Sequence, residues 1–197
     1  FGLGTMGAQL LSPHIRHGGT VGLLGYDVDF FATNQREIAF RKWMAGERPD
    51  LKVAIGKFRS LDLVEETAHQ LCDRTPALGG LYVVWDEPAI RALAALRARG
   101  LDLSVTTTDL GIRVALDLAR RGLVKGIAAQ KPYEQGMAAA AAALFALMGK
   151  ATPPWIALPG LAVTARNVVA SYQAVWHAAA PDELLRHWRA VAPSPEG

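Results

Sequence analysis

Between Thr20 and Gln130 the chain alternates short apolar runs with amphipathic stretches almost without interruption, and no other feature narrows the possible folds as much. The apolar runs predict strands over 20–26, 51–57, 79–84, 102–107 and 123–129. The stretches after them predict helices over 32–46, 61–75, 86–99, 110–121 and 132–149. VGLLGY, LYVV and LSVT are apolar along nearly their whole length, as strands buried on both sides should be. In IRALAALRARG, Ile90, Leu93, Ala94 and Leu96 share one helical face, while Arg91, Arg97 and Arg99 remain in water. Gly100 and Gly122 are placed to close their helices. Strands and helices in strict turn imply right-handed crossovers. The expected architecture is therefore α/β, a Rossmann-like parallel sheet flanked by helices on both faces.

In such a sheet, residues at the carboxyl ends of the strands line one crevice. Here those ends fall at Trp85-Asp86, Thr108-Asp109 and Gln130, so these side chains should converge on a ligand. The opening segment FGLGTMGAQLLSPHIRHGG reads as a helix broken near Pro13 and closed by Gly18-Gly19. Its Gly2, Gly4 and Gly7 also match G-x-G-x-x-G, and Asp27 ends the next strand where an acid could hold a ribose. An NAD-dependent hydroxyacid dehydrogenase is therefore a rival reading, although that fingerprint needs a buried strand leading into the glycines. The chain opens at Phe1 with no leader and reads as truncated at its front. The helix from Pro132 stops at Gly149, and PPWIALPGLAVT follows as a crossing connection or edge strand. Two short helices are expected in RNVVASYQAVWHA and PDELLRHWRAV, with Pro193 and Pro195 ending order.

Several function classes are disfavoured. The longest apolar run, Met137 to Met148, is too short and too alanine-rich to span a bilayer. The net charge of +3 comes from Arg and Lys scattered over helix faces, without a basic stripe interleaved with aromatics, which argues against nucleic-acid binding. The single cysteine, Cys72, permits no internal disulfide and suits a core position. The histidines at 14, 17, 69, 177 and 187 show no ligand spacing with carboxylates or Cys72. No metal, no cofactor and no histidine-based catalytic site are expected, and the chain does not read as an enzyme.

Four pieces in order, ATNQREIAF at 32–40, VVWDEPAIRAL at 83–93, TTTDLGIRVAL at 107–116 and LVKGIAAQKPYEQGMAAAAAALFALMGK at 123–150, carry a resemblance. The chain resembles the periplasmic sugar-binding proteins of bacterial ABC importers, the ribose-binding type, whose two-lobed fold is shared with lactose-repressor-type effector domains. The resemblance implies a C-terminal ligand-binding lobe over 1–130, a helix over 131–152 that belongs to the other lobe, and a returning hinge strand with a helical tail over 153–197. It implies capture of a sugar or polyol, an ABC permease as partner and a periplasmic location. A repressor-type effector domain is the nearest alternative within the same fold. A helix at 132–149 without its own sheet would expose an apolar face, so a homodimer through that face, or a swapped assembly, is also expected.

Sugars offer paired hydroxyls and flat C–H faces, which charged side chains and aromatic rings recognise respectively. By similarity to the family pattern, Arg36 is the guanidinium contact, Asp109 the carboxylate contact and Gln130 the amide contact. Trp85 departs from that pattern, which commonly has Asn there, and could stack on a sugar face or fill core beneath the cleft. Asp86 could cap the following helix or contact ligand. Phe30 or Phe31 could add an aromatic wall or pack into the core, and Phe58 and Asp62 are weaker candidates. The alternatives are a surface helix residue for Arg36, an N-cap for Asp109 and a hinge hydrogen bond for Gln130.

Overall fold

The computed structural model describes residues 2–191. In chain order its elements are α1 (Gly2–Leu11), a 3-10 turn at Ser12–His14, β1 (Thr20–Tyr26), α2 (Phe31–Glu47) and β2 (Lys52–Phe58). A second 3-10 turn at Leu61–Leu63 leads into α3 (Val64–Arg74), followed by β3 (Leu78–Val83), α4 (Asp86–Ala98), β4 (Ser104–Thr108), α5 (Ile112–Ala119) and β5 (Val124–Ala129). Then come α6 (Pro132–Leu147), β6 (Leu161–Val163), α7 (Val168–Trp176) and α8 (Asp182–Val191). The prolines at 193 and 195 lie outside the described residues.

The strands form a six-stranded sheet in the order β2-β1-β3-β4-β5-β6. The first five are parallel, as their alternation with helices requires, while β6 runs antiparallel to β5 at one edge, pairing Val163 with Ile127 and Leu161 with Ala129. Only three residues of the proline-bounded piece pair, in keeping with a chain that cannot donate at its prolines.

The chain leaves β1 toward β2 and later returns past β1 to β3, so right-handed crossovers place α2 and α3 on opposite faces. Successive side chains of β3 show both coverings. Tyr82 stacks on Phe40 of α2 at 4.4 Å between ring centres, whereas Leu81 lies beside Gly22 on the side where Leu71 of α3 packs. The core runs through the sheet on both sides, with Leu23, Leu24, Val83, Val105 and Ile127 wholly buried. Cys72 is part of it, and burial pushes its thiol pKa up, which suppresses the reactive thiolate.

The glycines of GLGTMG are not a phosphate loop. They lie inside α1, and Gly4 and Gly7 let that helix approach its neighbours: a Cβ at Gly4 would sit 2.0 Å from the Arg36 carbonyl oxygen, and one at Gly7 2.5 Å from the Tyr82 ring. Asp27 accepts from Arg59 at the surface. A dinucleotide site therefore finds neither its turn nor its ribose acid here.

Candidate functional site

The carboxyl ends of β1, β3, β4 and β5 meet at the reversal of strand order, and a cavity of about 550 Å³ opens there. Arg36, from the second turn of α2, is its fixed point. The helix has wrapped over the sheet by that residue, so the side chain is buried at 6% exposure, and the surface alternative does not hold. Its Nη1 donates to the Val84 carbonyl at 2.8 Å and to Asp109 Oδ2 at 3.0 Å, and its Nη2 donates to Asp109 Oδ1 at 3.2 Å. This two-pronged pairing fixes the plane of both groups. Gln130 completes the cluster, its Nε2 donating to Asp109 Oδ1 at 2.6 Å while its Oε1 accepts from Gln135 at 3.0 Å.

The run TTTD explains why Asp109 is held so firmly. Thr106, Thr107 and Thr108 are all wholly buried, and their hydroxyls donate to the carbonyls of Gly7, Val83 and Val84 respectively. β4 therefore cannot slide against α1 or β3. Asp109 then turns the chain in a left-handed conformation with φ of 70°. That conformation is uncommon outside glycine, though Asp and Asn tolerate it better than most. The turn delays α5 to Ile112 and gives its cap position to Gly111. Asp109 is thus not an N-cap, and its carboxylate faces the cavity.

Aromatic rings form the other wall. Trp85 meets Tyr26 edge-on at 5.2 Å and Phe58 at 5.4 Å, and it also lines the cavity. One part of the indole packs on the core and another faces the opening. Phe30 lines the cavity from the position preceding α2 and is 56% exposed, an apolar surface available to a ligand. Phe31 points elsewhere and meets Trp155 at 6.2 Å. Phe58 is buried behind Tyr26 and Trp85, and Asp62 lies outside the cavity.

Asp86 is a correction in part. It is the first residue of α4, Trp85 holds the cap position, and no side-chain cap bond forms there. Its carboxylate instead accepts from the Glu87 backbone N–H and abuts Gly111, where a Cβ would lie 2.0 Å away. Burial, and after it the Asp109 carboxylate, push the Asp86 pKa up. Asp86 lines an adjoining hollow of about 290 Å³ on the far side of Asp109 and Gln130, not the main cavity.

Three lining residues escaped the sequence reading, Tyr26, Ala32 and Thr33. Tyr26 ends β1 and was open to the same strand-end rule that picked out Trp85. Its backbone N–H donates to Glu37 Oε1 at 3.1 Å, and Glu37 also pairs with Lys57. Gly25 makes room for that carboxylate. Thr33 donates its hydroxyl to the Phe30 carbonyl at 3.0 Å and steadies the entry to α2.

The cavity therefore offers one part-buried Arg–Asp–Gln cluster, the Arg and Asp charges balanced, facing an aromatic wall. By donor count, Arg36 retains an Nη2–H and its Nε–H, Gln130 retains one N–H, and Asp109 retains lone pairs. Such a site can hold a neutral polyhydroxylated ring. Among the described residues no group of three or more His, Cys, Asp or Glu is placed to hold a metal.

No curated protein sequence matches the chain. Among solved structures, one similar fold is an ABC transporter solute-binding protein from Agrobacterium vitis bound with α-D-tagatopyranose, at 20% identity and a TM-score of 0.77, covering 87% of this chain and 59% of that one. Another is a periplasmic solute-binding protein from Actinobacillus succinogenes with bound D-allose, at 22% identity and a TM-score of 0.75, covering 85% and 60%. A third is a carbohydrate transporter solute-binding protein from Agrobacterium radiobacter in complex with D-arabinose, at 20% identity and a TM-score of 0.77, covering 87% and 61%. At these identities the likeness establishes the fold, and the chain spans about three fifths of each relative's length. The family model described as the periplasmic binding protein domain matches residues 1–151, and the chain belongs to that family.

Proposed function

We propose that the chain is the larger part of an extracytoplasmic solute-binding protein that captures a sugar or sugar-like polyol for ABC import. The observation that carries this reading is the Arg36–Asp109–Gln130 cluster set opposite Trp85 and Phe30 in one cavity. Paired charged groups bind vicinal hydroxyls, the aromatic wall covers C–H faces, and a volume of about 550 Å³ suits a small ligand. The tagatose, allose and arabinose held by the similar structures support the same class.

In this reading residues 1–130 are the C-terminal lobe, 131–152 cross to the other lobe, and 153–197 return. The complete lack of buried residues in α6 supports the crossing, because a helix so apolar belongs against a sheet. Ligand bridges the two lobes and favours the closed form by its extra contacts there, the closed form is presented to a membrane permease, and no bond is made or broken. Where the other lobe is absent, a second copy covers α6.

The test is tryptophan fluorescence of the two-lobed protein carrying this chain, titrated with aldoses, polyols, disaccharides and NADH. One sugar should give a saturable change, and Asp109→Asn, which tolerates the left-handed turn, should weaken it by about 10-fold to 100-fold, the worth of a charge-assisted hydrogen bond. Silence with every sugar and a response to NADH would overturn the reading.

A further inference from the structure

A second hollow, of about 670 Å³, lies at the opposite pole of the sheet, where β5 begins and β6 ends. Four separate segments contribute cationic or basic side chains to it: His14 from the turn after α1, Arg121 from the α5–β5 connection, Lys125 from β5 and Arg166 from the β6–α7 connection. Leu118 and Val124 lie buried beneath it, the partly exposed Thr164 and Ala165 present their methyl groups at its surface, and no acidic residue lines it.

The nearby acids are committed elsewhere. Asp117 pairs with Arg97 and accepts the Val124 backbone N–H at 2.8 Å, while Glu183 takes Arg120 at 3.1 Å. Lys125 donates to the Gly122 carbonyl at 2.6 Å, which leaves two of its three N–H groups. The side chains of Arg121 and Arg166 make no hydrogen bond or ion pair among the described residues. Arg121 moreover sits at φ of 55°, a conformation at a helix end that glycine usually fills. Burial, then the Lys125 ammonium, hold the His14 imidazole below its ordinary pKa.

We propose that this basin is a second binding site, remote from the cleft, for a small organic dianion with an apolar body, of which a phosphate monoester is the simplest form. The anionic group sits among Arg121, Lys125 and Arg166, and the apolar body lies on the methyl groups of Thr164 and Ala165. Guanidinium groups match phosphate oxygens in pairs, and covering those methyl groups rewards an apolar substituent.

Calorimetric titration of the chain at about 0.15 M salt, where long-range attraction is screened, tests this with three probes: phenyl phosphate, inorganic phosphate and phenol. Phenyl phosphate should bind at a ratio of one to one, with inorganic phosphate weaker by about 10-fold for want of its ring and phenol silent. Arg166→Gln, at an exposed position, should leave the unfolding midpoint unchanged and weaken phenyl phosphate about 10-fold. Lys125→Gln should do the same, with its own unfolding curve as control. Sugar binding in the cleft should be unaffected by either, so this inference and the cleft reading can fail separately. No saturable binding of phenyl phosphate would overturn the proposal. So would affinity indifferent to Arg166→Gln and Lys125→Gln, or affinity abolished instead by Arg36→Gln.

Discussion

Helices α1 and α6 are built from the same material and meet opposite fates. GLGTMGAQLL and PYEQGMAAAAAALFAL are both dominated by small and apolar residues, yet α1 buries Gly4, Gly7, Ala8 and Leu11 while α6 buries nothing. α1 lies against α2 and three strands of the sheet, whereas the principal neighbour of α6 is α7. Tyr133, Met137, Leu144, Phe145 and Leu147 are left facing water, the last at 86% exposure. Small residues permit close approach but do not supply the surface to be approached. That difference turns identical chemistry into rigid core on one side and an unpartnered face on the other.

The largest effect should follow Gly4→Ala. The added carbon would lie 2.0 Å from a backbone oxygen of Arg36, so no rotamer change relieves it and α2 itself must move. We expect a loss of about 3 kcal/mol in urea unfolding, the upper range for overpacking a core. Arg36 moves with α2, so sugar affinity should fall as well. A loss under about 0.5 kcal/mol, the scale of a surface change, would mean that α1 is as loosely seated as α6. Gly7→Ala should cost less, about 1–2 kcal/mol. Its carbon would meet the Tyr82 ring at 2.5 Å, and that ring is wholly buried against Phe40 but can shift where a backbone cannot.

The cleft was more legible in the sequence than the fate of these helices. A parallel sheet sends its strand ends to one edge whatever the details, so Trp85, Asp109 and Gln130 could be grouped before any coordinate, and the structure does bring them together with Arg36 and Phe30. Local patterns could not choose between a capping and an inward-facing Asp109, because Asp suits both the start of a helix and a left-handed turn. The choice is made by Arg36, 73 residues earlier in the chain. The GLGTMG segment shows the same limit, since glycine spacing alone does not say whether a phosphate or a neighbouring helix comes close. Tyr26 was missed although it ends a strand like the others.

In α6 the corresponding glycine should behave in the opposite sense. A carbon added at Gly136 meets nothing within 4 Å, so Gly136→Ala removes only the conformational freedom of glycine in the unfolded chain. We expect a gain of about 0.5–1 kcal/mol, read in the same urea curves. The sign reversal between Gly4 and Gly136 is the cleanest measure of the contrast. A loss at Gly136 would show that something packs there in solution.

The smallest effect should follow Leu147→Lys. At 86% exposure the leucine has little burial to lose within one chain, lysine forms helix nearly as well, and a cation suits the last turn, so in dilute solution, where no second copy is bound, stability should change by less than about 0.5 kcal/mol. Its value lies in the concentration dependence. If a second copy covers α6, the native chain should show a midpoint that rises with protein concentration, because association stabilises by mass action, and Leu147→Lys should flatten that rise by placing a charge in the contact. A native midpoint independent of concentration, with light scattering of a monomer, would leave α6 uncovered in this chain and remove the dimer. A cost above about 2 kcal/mol in dilute solution would instead place the leucine in a buried contact within one chain and erase the difference between the two helices.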